Sequence, residues 1–235
     1  MDEFRVLSLS SSFSPSSLYL SCGNGKRFYR STTDHPSSGL LRIMEESRKF
    51  MCHCTLDCVA IDVGPGGFTS TRLAFSLAVG VASSFNVPVI PVLSMEALAV
   101  KALDEKKSSS VLISLLLKPD LVLVSSYEVD FSSIKEILSK RIMSKDGFRL
   151  WFEENYSPGS LLYGSGFLLI CDDYDDICFH TENHTALDIY SVAKIRFYNS
   201  ASENCYRARE ICVDYATLPS ALTLEEQINF MQRKS

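Results

Sequence analysis

The segment Val59-Ala60-Ile61-Asp62-Val63-Gly64-Pro65-Gly66-Gly67-Phe68-Thr69-Ser70-Thr71-Arg72 is the part of this sequence best suited to chemistry. An apolar run that ends in a glycine loop and opens a helix can aim backbone N–H groups at an anion, with the positive end of the helix dipole behind them. Gly64, Pro65, Gly66 and Gly67 are therefore the candidate anion contact. The loop has neither the lysine of a Walker loop nor the spacing of a dinucleotide loop, so a tight turn that needs glycine torsions is the competing reading. Arg72 lies in the first turn of the following helix, where a cation complements the dipole poorly, and it is a candidate for a specific contact.

Other reactive side chains form no catalytic pattern. His180 and His184 stand four apart, but Thr181-Glu182-Asn183 between them does not reproduce H-E-x-x-H, and Asn183 reads as the cap of the next helix. Cys52-His53-Cys54 with Cys58 fits no paired C-x2-C zinc spacing, and Cys58 falls in an expected strand. The acidic run Asp172, Asp173, Asp175, Asp176 lacks the glycine and terminal glutamate of a calcium loop and reads as a solvated turn. No serine sits in a nucleophile elbow. The expectation is a chain with no catalytic residue, no metal and no cofactor of its own.

The elements that position these residues follow from pattern. Phe4 to Leu9, Ser17 to Cys22 and Lys26 to Arg30 are short β-type runs, the last two joined by Gly23-Asn24-Gly25. A helix opens at Ser37 or Ser38, the strand Cys58 to Val63 leads into the glycine loop, a helix runs from about Ser70 to Phe85, and the strand Val87 to Leu93 precedes a helix from Met95. The order is βββαβαβα. The hydrophilic break Asp104 to Ser110 reads as a lobe boundary. Beyond it, Val111 to Leu117 and Leu121 to Tyr127 are expected strands, and Ser133 with Glu136 forms a capping box for a helix to about Ile142. Leu161-Leu162-Tyr163 runs into Gly164-Ser165-Gly166, and Thr223 with Glu226 caps a C-terminal helix. The expected units are an N-terminal lobe over 1–104, a second lobe over 108–220, and a helix and tail over 221–235.

Two of these helices are too apolar for a single face. The first carries Leu40, Leu41, Ile43, Met44 and Phe50. The second sets Ala74, Ala78 and Ala82 in one row of small residues and Ser76, Gly80 and Ser84 in another, with Leu73, Phe75, Leu77, Val79, Val81 and Phe85 between them. Small rows allow close approach of another helix, and a helix apolar all round is either core or an interface. Leu40, Leu41, Met44, Arg72, Ala74, Phe75 and Ala78 are the candidate partner surface.

Composition narrows the setting. Across 235 residues, 46% are hydrophobic and 22% charged, which excludes a disordered or low-complexity chain. A formal charge of −5 excludes a globally cationic nucleic-acid binder. Asp2 and Glu3 stand where a secretory signal needs basic residues, and Asn86, Pro88 and Pro91 cut the longest uncharged stretch, so a cytoplasmic protein without a membrane span is expected. Its eight cysteines are then expected as reduced thiols.

Read whole, Cys58 to Val100 resembles the bacterial TsaB (YeaZ-like) family, whose members carry a strand followed by G-P-G-S-F-T-G-x-R and a small-residue helix. Asn86-Val87-Pro88-Val89-Ile90-Pro91-Val92 and Ser94-Met95-Glu96-Ala97-Leu98-Ala99 continue the resemblance, as do His35 with Leu40-Leu41, and Leu162-Tyr163-Gly164-Ser165-Gly166. The resemblance implies an α/β ASKHA fold (actin-like ATPase, ribonuclease H-like) of two related lobes built from βββαβα units. It also implies a non-catalytic subunit that pairs with TsaD, the enzyme placing a threonylcarbamoyl group on tRNA adenosine, joined by the ATPase TsaE. The tRNA is then reached only through the complex, and a homodimer in isolation is allowed. A residual ASKHA-type ATPase or kinase, or a glycoprotease-like hydrolase, is the alternative.

The departures from the active relatives are chemical. Catalytic paralogues carry H-x-E-G-H where this chain has Ser94-Met95-Glu96-Ala97-Leu98, so both metal imidazoles are missing. The first strand has Leu9-Ser10-Ser11-Ser12 in place of the family's D-T-S/T, losing a carboxylate. Within the TsaB pattern Gly67 replaces a serine, Ser70 replaces a glycine, and Ser114-Leu115-Leu116 stands for a D-A-R motif, which marks a divergent member.

Overall fold

The computed structural model describes residues 3–23, 25–103, 108–174, 177–199 and 213. Five strands, β1 (Val6–Ser10), β2 (Ser16–Ser21), β3 (Arg27–Thr32), β4 (Cys58–Asp62) and β5 (Val89–Val92), form one sheet in the order β3-β2-β1-β4-β5. The first three pair antiparallel, whereas β1, β4 and β5 are parallel. The parallel strands need crossovers, and α1 (Pro36–Met51) and α2 (Phe68–Phe85) supply them. Both helices cover one face of the sheet, where Leu40, Ile43, Ala74, Ala78 and Ala82 pack on Leu7, Leu9, Leu18, Val59 and Ile61. Every residue of β4 is buried because its other face is covered too, which explains the unbroken apolar run.

A second sheet repeats the plan. Strands β6 (Ser108–Lys118), β7 (Leu121–Asp130), β8 (Ile134–Ser144) and β9 (Leu161–Tyr163) lie in the order β8-β7-β6-β9, antiparallel except for the β6–β9 pair. The crossover is α4 (Lys145–Asn155), whose Phe148 and Phe152, four apart, are buried with Leu112, Val122, Val124 and Phe167. Two further helices, α3 (Ser94–Lys101) and α5 (Ala186–Asn199), tie the sheets together. One side of α3 places Ala97 with Val6, Ala60, Ile90 and the α5 residues Ile189 and Val192; the other places Met95, Leu98 and Ala99 with Val111, Ile113 and Leu123. A helix buried on both sides accounts for the lack of a polar face in Ser94-Met95-Glu96-Ala97-Leu98-Ala99.

The βββαβαβα order of the first half holds, with boundaries moved by up to two residues. Three expectations change. The helix expected from Ser133 to Ile142 is the strand β8. Asp130 accepts hydrogen bonds from the N–H and hydroxyl groups of both Ser132 and Ser133, so Ser133 closes a turn between two strands and caps no helix. Sequence reading also passed over α4, which Ser144 caps by accepting from the Gly147 N–H at 3.1 Å. Helix α5 starts after Thr185, whose N–H and hydroxyl bond Asp188, whereas Asn183 bonds the Ser14 carbonyl. The helix expected after Thr223 and most of the 108–220 boundary region beyond Asn199 lie outside the described residues.

The turn after β9 illustrates how tightly the second sheet closes. Gly164 has φ +118°, and a Cβ there would lie 2.1 Å from the Ser114 carbonyl oxygen. Gly164→Ala is expected to lower stability by about 2–4 kcal/mol through backbone strain and overpacking, read as a fall in the urea-unfolding midpoint.

Candidate functional site

The glycine loop is docked on the connection between β1 and β2. Gly64, at φ +99°, donates its N–H to Asp62 Oδ1 at 3.0 Å, and Gly67 donates to the Ser12 carbonyl at 2.8 Å. A Cβ on Gly66 would lie 2.3 Å from Ser12 Cβ and 2.5 Å from its carbonyl oxygen, so only glycine allows this approach. Thr71 reinforces it, with its hydroxyl 3.2 Å from the Ser12 hydroxyl. Pro65 has no N–H to offer. Of the candidate anion contact Gly64, Pro65, Gly66 and Gly67, the Gly64 and Gly67 donors are committed within the chain, and the glycines serve a tight turn.

The chemistry instead converges on Asp62, the last residue of β4. Its carboxylate is fully buried and holds four partners. His184 Nε2 donates to Oδ2 at 2.7 Å, the Ser94 hydroxyl to Oδ1 at 2.7 Å, the Gly64 N–H to Oδ1, and the Ser10 hydroxyl to Oδ2 at 3.4 Å. Burial alone would raise the Asp62 carboxyl; the interaction with His184 and the Gly64 N–H hold it below the usual aspartate range. The His184 side chain is itself inaccessible, its Nδ1 has no partner among the described residues, and the Phe13 ring meets it edge-on at 5.7 Å. Phe13 also packs against the core of the second sheet, so the space between the sheets at this point is filled by protein.

The segment Ser94 to Leu98 is equally absorbed. Besides Asp62, the Ser94 hydroxyl lies 3.0 Å from the Pro65 carbonyl, and Leu98 is buried in the second core. Glu96 accepts from the Leu93 N–H at 2.9 Å and from Arg196 at 2.5 Å, whose guanidinium also reaches the Pro91 carbonyl. Burial raises the Glu96 carboxyl, with Arg196 acting against it.

The expected partner residues divide by exposure. Leu40, Ala74 and Ala78 have no accessible surface and lie in the first core, because their rows face the sheet; their assignment to a partner surface is corrected. Leu41 is 49% exposed, Met44 and Phe75 are half-buried, and Arg72 is exposed with its guanidinium 3.7 Å from the Phe68 ring centre. The second small row faces outward: a Cβ on Gly80 would meet nothing within 4 Å, and the Ser76 and Ser84 hydroxyls bond back to their own helix.

The cysteines also depart from expectation. Cys22 and Cys54 form a disulfide, Cys52 is an exposed thiol and Cys58 is buried in β4, so the dense cluster is dispersed by the strand. The expectation of reduced thiols is corrected for this pair. What sequence reading missed is the Asp62–His184 contact, 122 residues apart. The signal was there in part: an aspartate ending the run Val59-Ala60-Ile61 must be paired if the strand is buried.

Removing His184 leaves a buried carboxylate without one of its hydrogen-bond donors, so His184→Ala is expected to lower stability by about 1–3 kcal/mol, read as a fall in the urea-unfolding midpoint. Asp62 is depressed in the folded state, so its contribution is complete above the ordinary aspartate range, near pH 4, and is lost as pH falls through the native value. Urea midpoints measured between pH 7 and pH 3 should therefore fall more for the parent chain than for Asp62→Asn.

Comparison with known proteins matches this geometry to relatives. Residues 42–128 match the family model for TsaD, the tRNA N6-adenosine threonylcarbamoyltransferase. The tRNA threonylcarbamoyladenosine biosynthesis protein TsaB of Buchnera aphidicola is 29% identical over 96 residues, 38% of this chain, and the match spans only 43% of that protein. Two solved structures from Pseudomonas aeruginosa share the fold. One, described as an uncharacterized protein with similarity to peptidase YEAZ, superposes with a TM-score of 0.74 at 18% identity, covering 92% of this chain and 100% of the other. The second, YeaZ, gives 0.73 at 18% identity, with 91% and 100% covered. The fold of the two YeaZ structures thus extends over nine-tenths of this chain, and part of its sequence is similar to TsaB, of whose length the chain covers less than half.

Proposed function

We propose that this chain is a non-catalytic scaffold subunit of the tRNA threonylcarbamoyladenosine machinery, pairing with a TsaD-like catalytic subunit. A TsaE-like ATPase joins the larger complex, and tRNA is engaged through that complex in the cytoplasm. No described helix is long and apolar enough to cross a membrane. The observation that carries the reading is the fate of Ser94 and Leu98. Where catalytic paralogues are expected to hold a metal, one side chain is tied to Asp62 and Pro65 and the other lies in the core. Neither is free to bind an ion or polarise a carbonyl.

The partner surface in this proposal is the outward side of α1 and α2: Leu41, Met44, Arg72 and Phe75, with the row Ser76, Gly80 and Ser84. It combines exposed apolar side chains with a shallow strip into which a second helix can settle. These positions also permit a clean test. Leu41→Glu and Gly80→Trp change exposed positions and leave the core intact, so circular dichroism and the melting temperature should stay near those of the parent chain. Each is expected to weaken co-elution with a TsaD-family protein on a sizing column by about tenfold or more, the effect of disrupting an interface anchor. Undiminished binding of both variants, or magnesium-dependent ATP turnover by the isolated chain, would overturn the proposal.

A further inference from the structure

We propose that the Cys22–Cys54 disulfide is a reversible thiol–disulfide site whose groove recognises an anionic peptide thiol of the glutathione class. The bond joins the end of β2 to the segment after α1, with a Cα–Cα separation of 5.1 Å, and both cysteines are partly exposed. A groove of about 440 Å³ opens directly on it, its polar lining made by Lys26, Arg27, Lys49 and His53 and its apolar lining by Phe28 and Phe50. Of the nine residues that line it, Lys26, Arg27 and Lys49 are cations, His53 adds an imidazole, and none is acidic. Arg27 is paired with Glu3 at 3.3 Å, whereas Lys26 and Lys49 form no ion pair among the described residues. The acidic chain thus places two unneutralised ammonium groups beside its exposed disulfide.

That arrangement suits a particular reductant. A cationic surround favours thiolates, both the attacking one and the one that leaves, and it draws in a nucleophile that carries carboxylates. Buried structural disulfides are shielded from exchange; this one is reached from solvent through a groove of matching charge. The exchange is written with all partners named. The glutathione thiolate attacks Cys54 Sγ, the Cys54–Cys22 bond breaks, and Cys22 leaves as a thiolate. A second glutathione thiolate attacks the glutathione sulfur of the mixed disulfide, releasing glutathione disulfide and the Cys54 thiolate, and both cysteines take protons from water. Glutathione disulfide drives the reverse sequence.

The test uses the full chain with Cys52→Ser as background, so that a neighbouring thiol cannot reshuffle the bond. Reduction is followed by mass spectrometry after alkylation, with glutathione and with uncharged 2-mercaptoethanol. Lys26→Glu combined with Lys49→Glu is expected to slow reduction by glutathione by about tenfold and to leave the 2-mercaptoethanol rate within about twofold, because only the charged nucleophile is steered. The milder pair Lys26→Gln and Lys49→Gln should fall between, which keeps the test valid if charge reversal disturbs folding. Equal sensitivity of the two reductants to these substitutions overturns the proposal. So does finding Cys22 and Cys54 fully alkylated in protein equilibrated with excess glutathione disulfide.

Discussion

A carboxylate in a protein interior must be compensated from all sides, and Asp62 shows how much structure that requirement organises. Its four donors come from β1, from the glycine loop, from the start of α3 and from the segment preceding α5. These segments include the connection from the first sheet to the second, through α3, and the return to the first, through α5. An isolated buried charge would cost several kcal/mol, so the correct arrangement of these segments is strongly favoured over any in which one donor is withdrawn. The loop glycines follow from the same demand. Gly64 must turn its N–H toward the carboxylate, and Gly66 must let Ser12 come close enough for the β1–β2 connection to sit against the site.

This arrangement changes the meaning of a motif that looks like an anion-binding loop. Strand, glycines and helix N-terminus are present in the expected order, but the anion they serve is the protein's own. Ser94 illustrates the same inward direction: its hydroxyl donates to the Asp62 carboxylate at 2.7 Å. The polar groups at the centre of the fold are directed inward, onto Asp62.

Much of the architecture was legible in the sequence because its signals are local. The unbroken apolar run of β4, the glycine loop and the small-residue rows of α2 each announce an element and its burial, and the first half was read in the correct order. The errors have physical causes. Ser133 and Glu136 satisfy the spacing of a capping box, but Asp130, three residues earlier, captures Ser133 for a turn, and a long-range ladder to β7 then holds Ile134 to Ser144 extended. Which of the two small rows faces the sheet is decided by packing, so Ala78 was assigned outward when it lies in the core. The Asp62–His184 pair and the Cys22–Cys54 bond depend on chain segments that approach only in the folded state, and no spacing encodes them.

The burial of α3 between the two cores has a consequence for motion. A hinge between two packed units needs an interface that can slide. Here one helix contributes side chains to both sheets, and Phe13 reaches from the first lobe into the core of the second. Opening the lobes would expose that apolar surface to water. The two halves therefore behave as one preorganised body, and a surface carried on a rigid body loses little conformational entropy when another protein docks on it.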